Sequence, residues 1–118
     1  MTMTGDKKAA TLLEDVAALV ESDEDTHGDA VENQQHIATG WTWYLRGTDI
    51  LGPDERLTGD DVAMMMALVK SSRHAVGDAS IEHLRDVAGY AGIGGACMVD
   101  RGNVDQDDLT VDDYGEHK

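Results

Sequence analysis

Three groups of residues in this sequence have types and spacings that could do chemistry. The first is Thr26-His27-Gly28-Asp29 followed by Glu32 and Asn33. A turn enters a helix there, so free backbone N–H groups meet a histidine, two acids and an amide. Asp29 and Glu32 are three apart and share a helical face. Two carboxylates so placed can hold Mg²⁺, which takes a few carboxylates plus waters and phosphate oxygens. The competing reading is helix capping and a solvated acidic face. The second group is Lys70 and Arg73, which could bind phosphate or pair with acids such as Asp86. The third is Glu82 and Asp86, four apart, followed by Tyr90. The same Mg²⁺ logic applies, although Arg85 between them can neutralise one acid. His83 has no His-x₃-His or cysteine pair to complete a zinc site and reads as a surface or packed histidine.

Helices must position these groups. In residues 7–21, Leu12, Leu13, Val16, Leu19 and Val20 recur at three and four, one apolar stripe that should end near Ser22. Residues 29–46 form a second helix with Val31, Ile37, Trp41, Tyr44 and Leu45 on one side and Gly47 as its stop. Residues 48–58 hold the only proline and read as a loop. Thr58, with Asp61 three residues on, caps a third helix over about 59–75. Val62, Met65, Met66 and Val69 are its expected packing face. Asp78 or Ser80 caps a fourth helix through about Met98, with Ile81, Leu84, Val87, Ala88 and Ala91 inward. No strand-like alternation has useful length. The reading is all-α: an antiparallel four-helix bundle over 7–98, a flexible N-terminus over 1–6, and a flexible acidic tail over 99–118.

Several features read as structural. Met64-Met65-Met66 is adaptable core, and Cys97 is a small core residue. Trp41, Trp43 and Tyr44 cannot all face inward from one helix, so one sits at an interface or over a ligand. Gly89, Gly92, Gly94 and Gly95 do not form a dinucleotide loop. Each weakens a helix by about 1 kcal/mol relative to Ala, which close approach by another helix would offset, across a dimer for example.

Composition sets the outer bounds. The 118 residues make one small domain. Asp and Glu total 24 against 9 Lys and Arg, a formal charge of −15. That excludes a general duplex-coating role, which needs clustered cations. No apolar run suits a membrane span. The N-terminus lacks an apolar signal core, so an intracellular location is expected. One cysteine makes no internal disulfide. With 17 Asp, 7 Glu and 4 Lys, the surface suits concentrated salt, where screening shortens self-repulsion to about 3 Å at 1 M. An ordinary acidic protein and a nucleic-acid mimic are the alternatives. Only a halophilic domain should unfold as salt is removed.

Taken in order, THGD, Glu32-Asn33, Ile37-Ala38, Trp41, Tyr44-Leu45, Asp61-Val62-Ala63-x-Met65-Met66-x-Leu68-x-Lys70, Arg73 and Asp86-x-Ala88-Gly89-Tyr90-Ala91 resemble a family of small uncharacterised tailed-phage proteins over about residues 9–96. More distantly, the layout is similar to MazG-like all-α nucleotide pyrophosphohydrolases. That resemblance implies Mg²⁺-dependent hydrolysis of a nucleoside triphosphate to monophosphate and pyrophosphate, in viral nucleotide metabolism within the host cytoplasm. By it, Asp29, Glu32, Glu82 and Asp86 hold the metal, with Glu32 and Asp86 catalytic. Lys70 and Arg73 neutralise phosphate, His27 or Asn33 positions it, and Trp41, Tyr44 and Tyr90 contact the substrate. It also implies a homodimer or tetramer. The pattern departs at one place: Glu82-x-x-x-Asp86 stands where such enzymes carry E-x-x-D. A non-catalytic nucleotide- or protein-binding module and a small virion component remain open beside it.

Overall fold

The computed structural model describes residues 2–27 and 29–110, with side chains for 2–22 and 29–110. Four α-helices follow in order: α1 (Gly5–His27), α2 (Ala30–Gly47), α3 (Gly59–Val76) and α4 (Ile81–Asp100), then a short 3-10 helix over Gln106–Leu109. No strand occurs among the described residues, so the all-α expectation holds.

The helix ends have local causes. Thr4 Oγ1 accepts from Lys7 N–H at 3.2 Å and opens α1. This helix outruns its expected end at Ser22 because no glycine or proline interrupts the sequence before Gly28. Asp29 caps α2, its carboxylate accepting from Val31 N–H at 2.9 Å. Gly47 is still helical. The left-handed residue after α2 is Asp49, with φ 63°, a backbone region that a short polar side chain tolerates. Thr58 donates from both its N–H and its hydroxyl to Asp61, at 2.9 and 3.0 Å, and so starts α3. Ser80 opens α4 by accepting from Glu82 N–H at 3.1 Å.

The packing runs through small residues. Val62, Ala63 and Ala67 of α3 are buried, as are Gly94 and Cys97 of α4. A Cβ added to Gly94 would lie 3.4 Å from the Ala63 Cβ. Asp60 meets Arg101, Ala63 meets Gly94, Lys70 meets Asp86 and His74 meets His83. Rising numbers on α3 meet falling numbers on α4, so these two helices form a hairpin. Against it, α2 sets Ala38, Gln34 and Thr42; Thr42 Oγ1 donates to Ala38 O at 2.7 Å and accepts from Leu57 N–H at 3.0 Å. Among the described side chains of α1 only Val16 is buried, and it faces Gly89 of α4.

This seam corrects the expected packing faces. Met64, Met65, Leu68 and Val69 are exposed on α3, as are Ile81 and Leu84 on α4, Tyr44 on α2, and Leu13 and Leu19 on α1. Ala91 is exposed too. The methionine triplet is therefore mostly surface. Where Ala, Gly and Cys let backbones approach, larger neighbours splay outward instead of meeting across the interface. The radius of gyration is 16.5 Å, against about 13–14 Å for a compact chain of this length. The expected tail from residue 99 also differs. To residue 100 it is α4, and Leu109 of the 3-10 helix lies against Gly95. Residues 111–118 lie outside the described residues.

Candidate functional site

A cavity of about 250 Å³ lies where α1 crosses the α3–α4 hairpin. Val16, Leu19 and Val20 of α1 and Ile93 of α4 form its apolar part. Lys70 enters from α3; Arg85 and Asp86 come from one turn of α4 and Tyr90 from the next. Lys70 Nζ is 3.2 Å from Asp86 Oδ2. Arg85 is held more loosely. Its Nε lies 3.7 Å from Asp15 Oδ2, and that nitrogen is buried without a hydrogen bond. Two cations, one carboxylate and a phenol thus line an apolar hollow. Such a set can take an anionic group on the cations and an apolar ring against α1.

Of the candidate site residues, Lys70, Asp86 and Tyr90 meet here; the others whose side chains are described do not. Asp29 is spent as the α2 cap, and Glu32 and Asn33 are exposed. None of the three lines the cavity. Glu82 is exposed at the start of α4. Arg73 lines a separate cleft at the α3–α4 turn with Ser80 and His83. There His74 Nδ1 accepts from Ser80 N–H at 3.1 Å, and the two histidine rings meet edge-on at 5.7 Å. Trp41 is half-buried and Tyr44 exposed. The side chain of His27 lies outside the described residues. Among the described residues, no group of three or more Asp, Glu, His or Cys is placed to hold a metal ion. The four-carboxylate set is therefore not assembled within one chain. The capping role and the Lys70–Asp86 ion pair, the alternative readings of those spacings, are what the geometry contains.

Two features have little or no signature in the sequence. Asp60 and Arg101, 41 residues apart, form a two-pronged ion pair at 2.8 and 3.2 Å. That hydrogen bonding holds the Asp60 carboxyl below the usual carboxylate range. Beneath it, burial pushes the Cys97 thiol up, aided by the negative charges of Asp60, Asp100 and Asp29. Trp43, not Trp41 or Tyr44, is the most exposed aromatic residue among those described, at 78%. It shares a depression with Arg46 and Arg56. A tryptophan two residues from another on one helix had to point away from it, but which of them turns outward depends on the small-residue seam.

The site and helices define an all-α domain with a cavity lined by Lys70 and Arg85 beside a helical hairpin. The chain belongs to the family described as "Domain of unknown function (DUF6378)", whose model matches residues 11–98. It is similar to the "Gene 55 protein" of Mycobacterium phage L5, 40% identical over 67 residues. That match takes in 57% of this chain and 38% of the phage protein's length. The resemblance to phage proteins thus holds. No solved structure matches the chain. No helix among the described residues is long and apolar enough to cross a membrane.

Proposed function

We propose that this chain is a virus-encoded nucleotide-binding module whose ligand sits in the α1–α3–α4 cavity. The meeting of Lys70, Arg85, Asp86 and Tyr90 over an apolar floor carries this reading. The base or sugar packs on Val16, Leu19 and Val20, and the phosphates face the two cations. The MazG-like hydrolase needs Asp29, Glu32 and Glu82 beside Asp86 to hold Mg²⁺. Their dispersal favours binding over turnover. The four helices are taken as an antiparallel bundle, and the active species as a homodimer or tetramer. In support, α3 is apolar on both sides: Val62, Ala63 and Ala67 inward, Met64, Met65, Leu68 and Val69 outward. A helical segment apolar all round, as residues 62–69 are, suits the inside of a larger assembly.

The test is calorimetry with a panel of nucleoside triphosphates, with and without Mg²⁺, assaying pyrophosphate in the same samples and mass by light scattering. We expect binding without pyrophosphate, in particles of at least two chains. Arg85→Ala should weaken binding about tenfold, the loss of one charged hydrogen bond of roughly 1.5 kcal/mol. Absence of binding for every nucleotide sinks the reading. Mg²⁺-dependent pyrophosphate release restores the hydrolase.

A further inference from the structure

A second surface carries chemistry that the cavity does not use. The chain has two Trp and three Tyr and no Phe. Trp43 and Tyr44 stand side by side on the outside of α2, 78% and 61% exposed. Trp43, Arg46 and Arg56 line one depression of about 370 Å³ with Thr39 and Leu57. It continues past Trp43 and Arg46 to Tyr44 and Thr48. In the other direction it continues past Thr39 and Arg56 to Gln35 and Arg101. The three hollows follow α2 from Gln35 to Thr48, about 20 Å at 1.5 Å per residue. This is an open, elongated groove.

The charges along it are one-sided. Residues 33–48 contain no Asp or Glu, although the sequence holds 24 of them. Arg85, Arg101 and Lys70 pair with carboxylates; Arg46 and Arg56 do not, among the described residues. Three acids close by in sequence, Glu55 of the adjoining loop and Asp60 and Asp61 of α3, are already engaged. Glu55 accepts from Gly52 N–H at 2.6 Å, Asp61 holds Thr58, and Asp60 holds Arg101. Arg46 is fixed by its Nε, which donates to Glu55 O at 2.8 Å. That bond uses none of the terminal guanidinium nitrogens. The groove therefore presents an exposed indole together with two guanidinium groups that have no carboxylate partner among the described residues, in a chain of charge −15.

We propose that this groove binds a single nucleic-acid strand. Bases stack on Trp43 and Tyr44, and Arg46 and Arg56 meet the phosphates. Aromatic faces accept any base, and guanidinium groups track the backbone without reading sequence. The length and openness of the groove suit several linked nucleotides rather than one. A duplex hides its base faces, so it cannot use the indole. Polar neighbours such as Gln35, Thr39 and Thr48 fit a hydrated strand better than the dry centre of a protein interface.

Tryptophan fluorescence of the full chain in low salt tests this, with a short oligothymidylate, thymidine monophosphate and a blunt duplex as probes. The oligomer should quench emission and bind more tightly than the monophosphate or the duplex. Trp43→Ala, followed by calorimetry because it removes the reporter, should weaken the oligomer by about tenfold or more. Trp41→Phe should leave binding intact. With two phosphate contacts, the logarithm of the affinity should fall with the logarithm of salt at a slope of about −1.4. Arg56→Ala should make that slope shallower while leaving the helical circular dichroism unchanged. No binding of the oligomer, or equal binding of monophosphate or duplex, overturns the proposal. So does full affinity in Trp43→Ala. Because Arg85 lies in the other site, Arg85→Ala should retain oligomer binding, which separates this proposal from the nucleotide reading.

Discussion

Replacing Gly59 by alanine gives a sharp test of how the helices meet. Gly59 is the buried first residue of α3, and sequence logic alone favours the change. Alanine in place of a helical glycine stabilises by roughly 0.5–1 kcal/mol, less at a helix end. The geometry reverses that sign. A Cβ at Gly59 would lie 2.8 Å from Cys97 Sγ, 3.2 Å from Gln35 Cγ and 3.3 Å from the Gln35 backbone nitrogen. Cys97 is 1% exposed, so its sulfur has little room to move, and the Gln35 nitrogen is fixed in α2. Overpacking of this kind costs about 1–3 kcal/mol. The net expectation for Gly59→Ala is a loss of about 1–2 kcal/mol. Gly92 supplies the control: a Cβ there meets nothing within 4 Å, so Gly92→Ala should gain up to about 1 kcal/mol. Urea denaturation reads both as opposite shifts of the midpoint at constant slope. Adding Cys97→Ala to Gly59→Ala removes the nearest clash, so the double variant should be more stable than the two single losses predict. A Gly59→Ala protein as stable as the parent, or one damaged no more than Gly92→Ala, would refute the close junction of α2, α3 and α4.

Two further outcomes follow from the same junction. Thr42→Val should lower stability by about 1–3 kcal/mol in the same denaturation assay. The hydroxyl that accepts from Leu57 N–H at 3.0 Å is lost, and that partly buried donor is left unpaired; a loss under a few tenths would show that water replaces it. The dependence of stability on pH should have two edges. The depressed Asp60 carboxyl contributes stability that is present above its ordinary value of 3.8 and lost as pH falls through its lower folded value. The raised Cys97 thiol is still protonated in the folded protein where the unfolded chain has ionised, so its contribution is lost as pH rises above 9.0. Arg101→Met should flatten the acid edge and Cys97→Ala the alkaline one; an unchanged alkaline edge in Cys97→Ala would place its cause elsewhere.

The helices were legible because their signals are local. Three- and four-residue spacings marked α1 and α2, Thr58 with Asp61 marked the start of α3, and Ser80 was one of two expected caps for α4. The faces were less legible. Met65 and Val69 have the spacing of a packing stripe, yet the hairpin closes on Ala63, Ala67, Gly94 and Cys97. Hydrophobicity scales favour the larger residues, whereas close backbone approach selects the smaller ones. For the site, Lys70 and Asp86 had been foreseen as an ion pair or as parts of a pocket, and they are both. Asp29 and Glu32 satisfy the spacing of a metal pair, but one is consumed by an orphan N–H group and both stand outside the cavity. Spacing shows which residues share a helical face; it does not show what that face meets.

The ion pair inside the cavity does not close it to an anion, and the magnitudes say why. Lys70 and Asp86 are 21% and 45% exposed in their side chains. A pair so open to water is worth about 0–1 kcal/mol, whereas a hydrogen bond to a charged group contributes about 1.5–3 kcal/mol. On the proposed reading, a phosphate oxygen held by both Lys70 and Arg85 would replace one weak pair with two charged contacts, the Asp86 carboxylate turning toward solvent as its exposure permits. The groove on α2 needs no such exchange, because Arg46 and Arg56 have no carboxylate to give up. The two surfaces should differ in the way that this difference dictates. Asp86→Asn removes the carboxylate charge from Lys70 and should strengthen anion binding in the cavity, while the groove, whose cations have no carboxylate partner, should keep its affinity for a strand in the same variant.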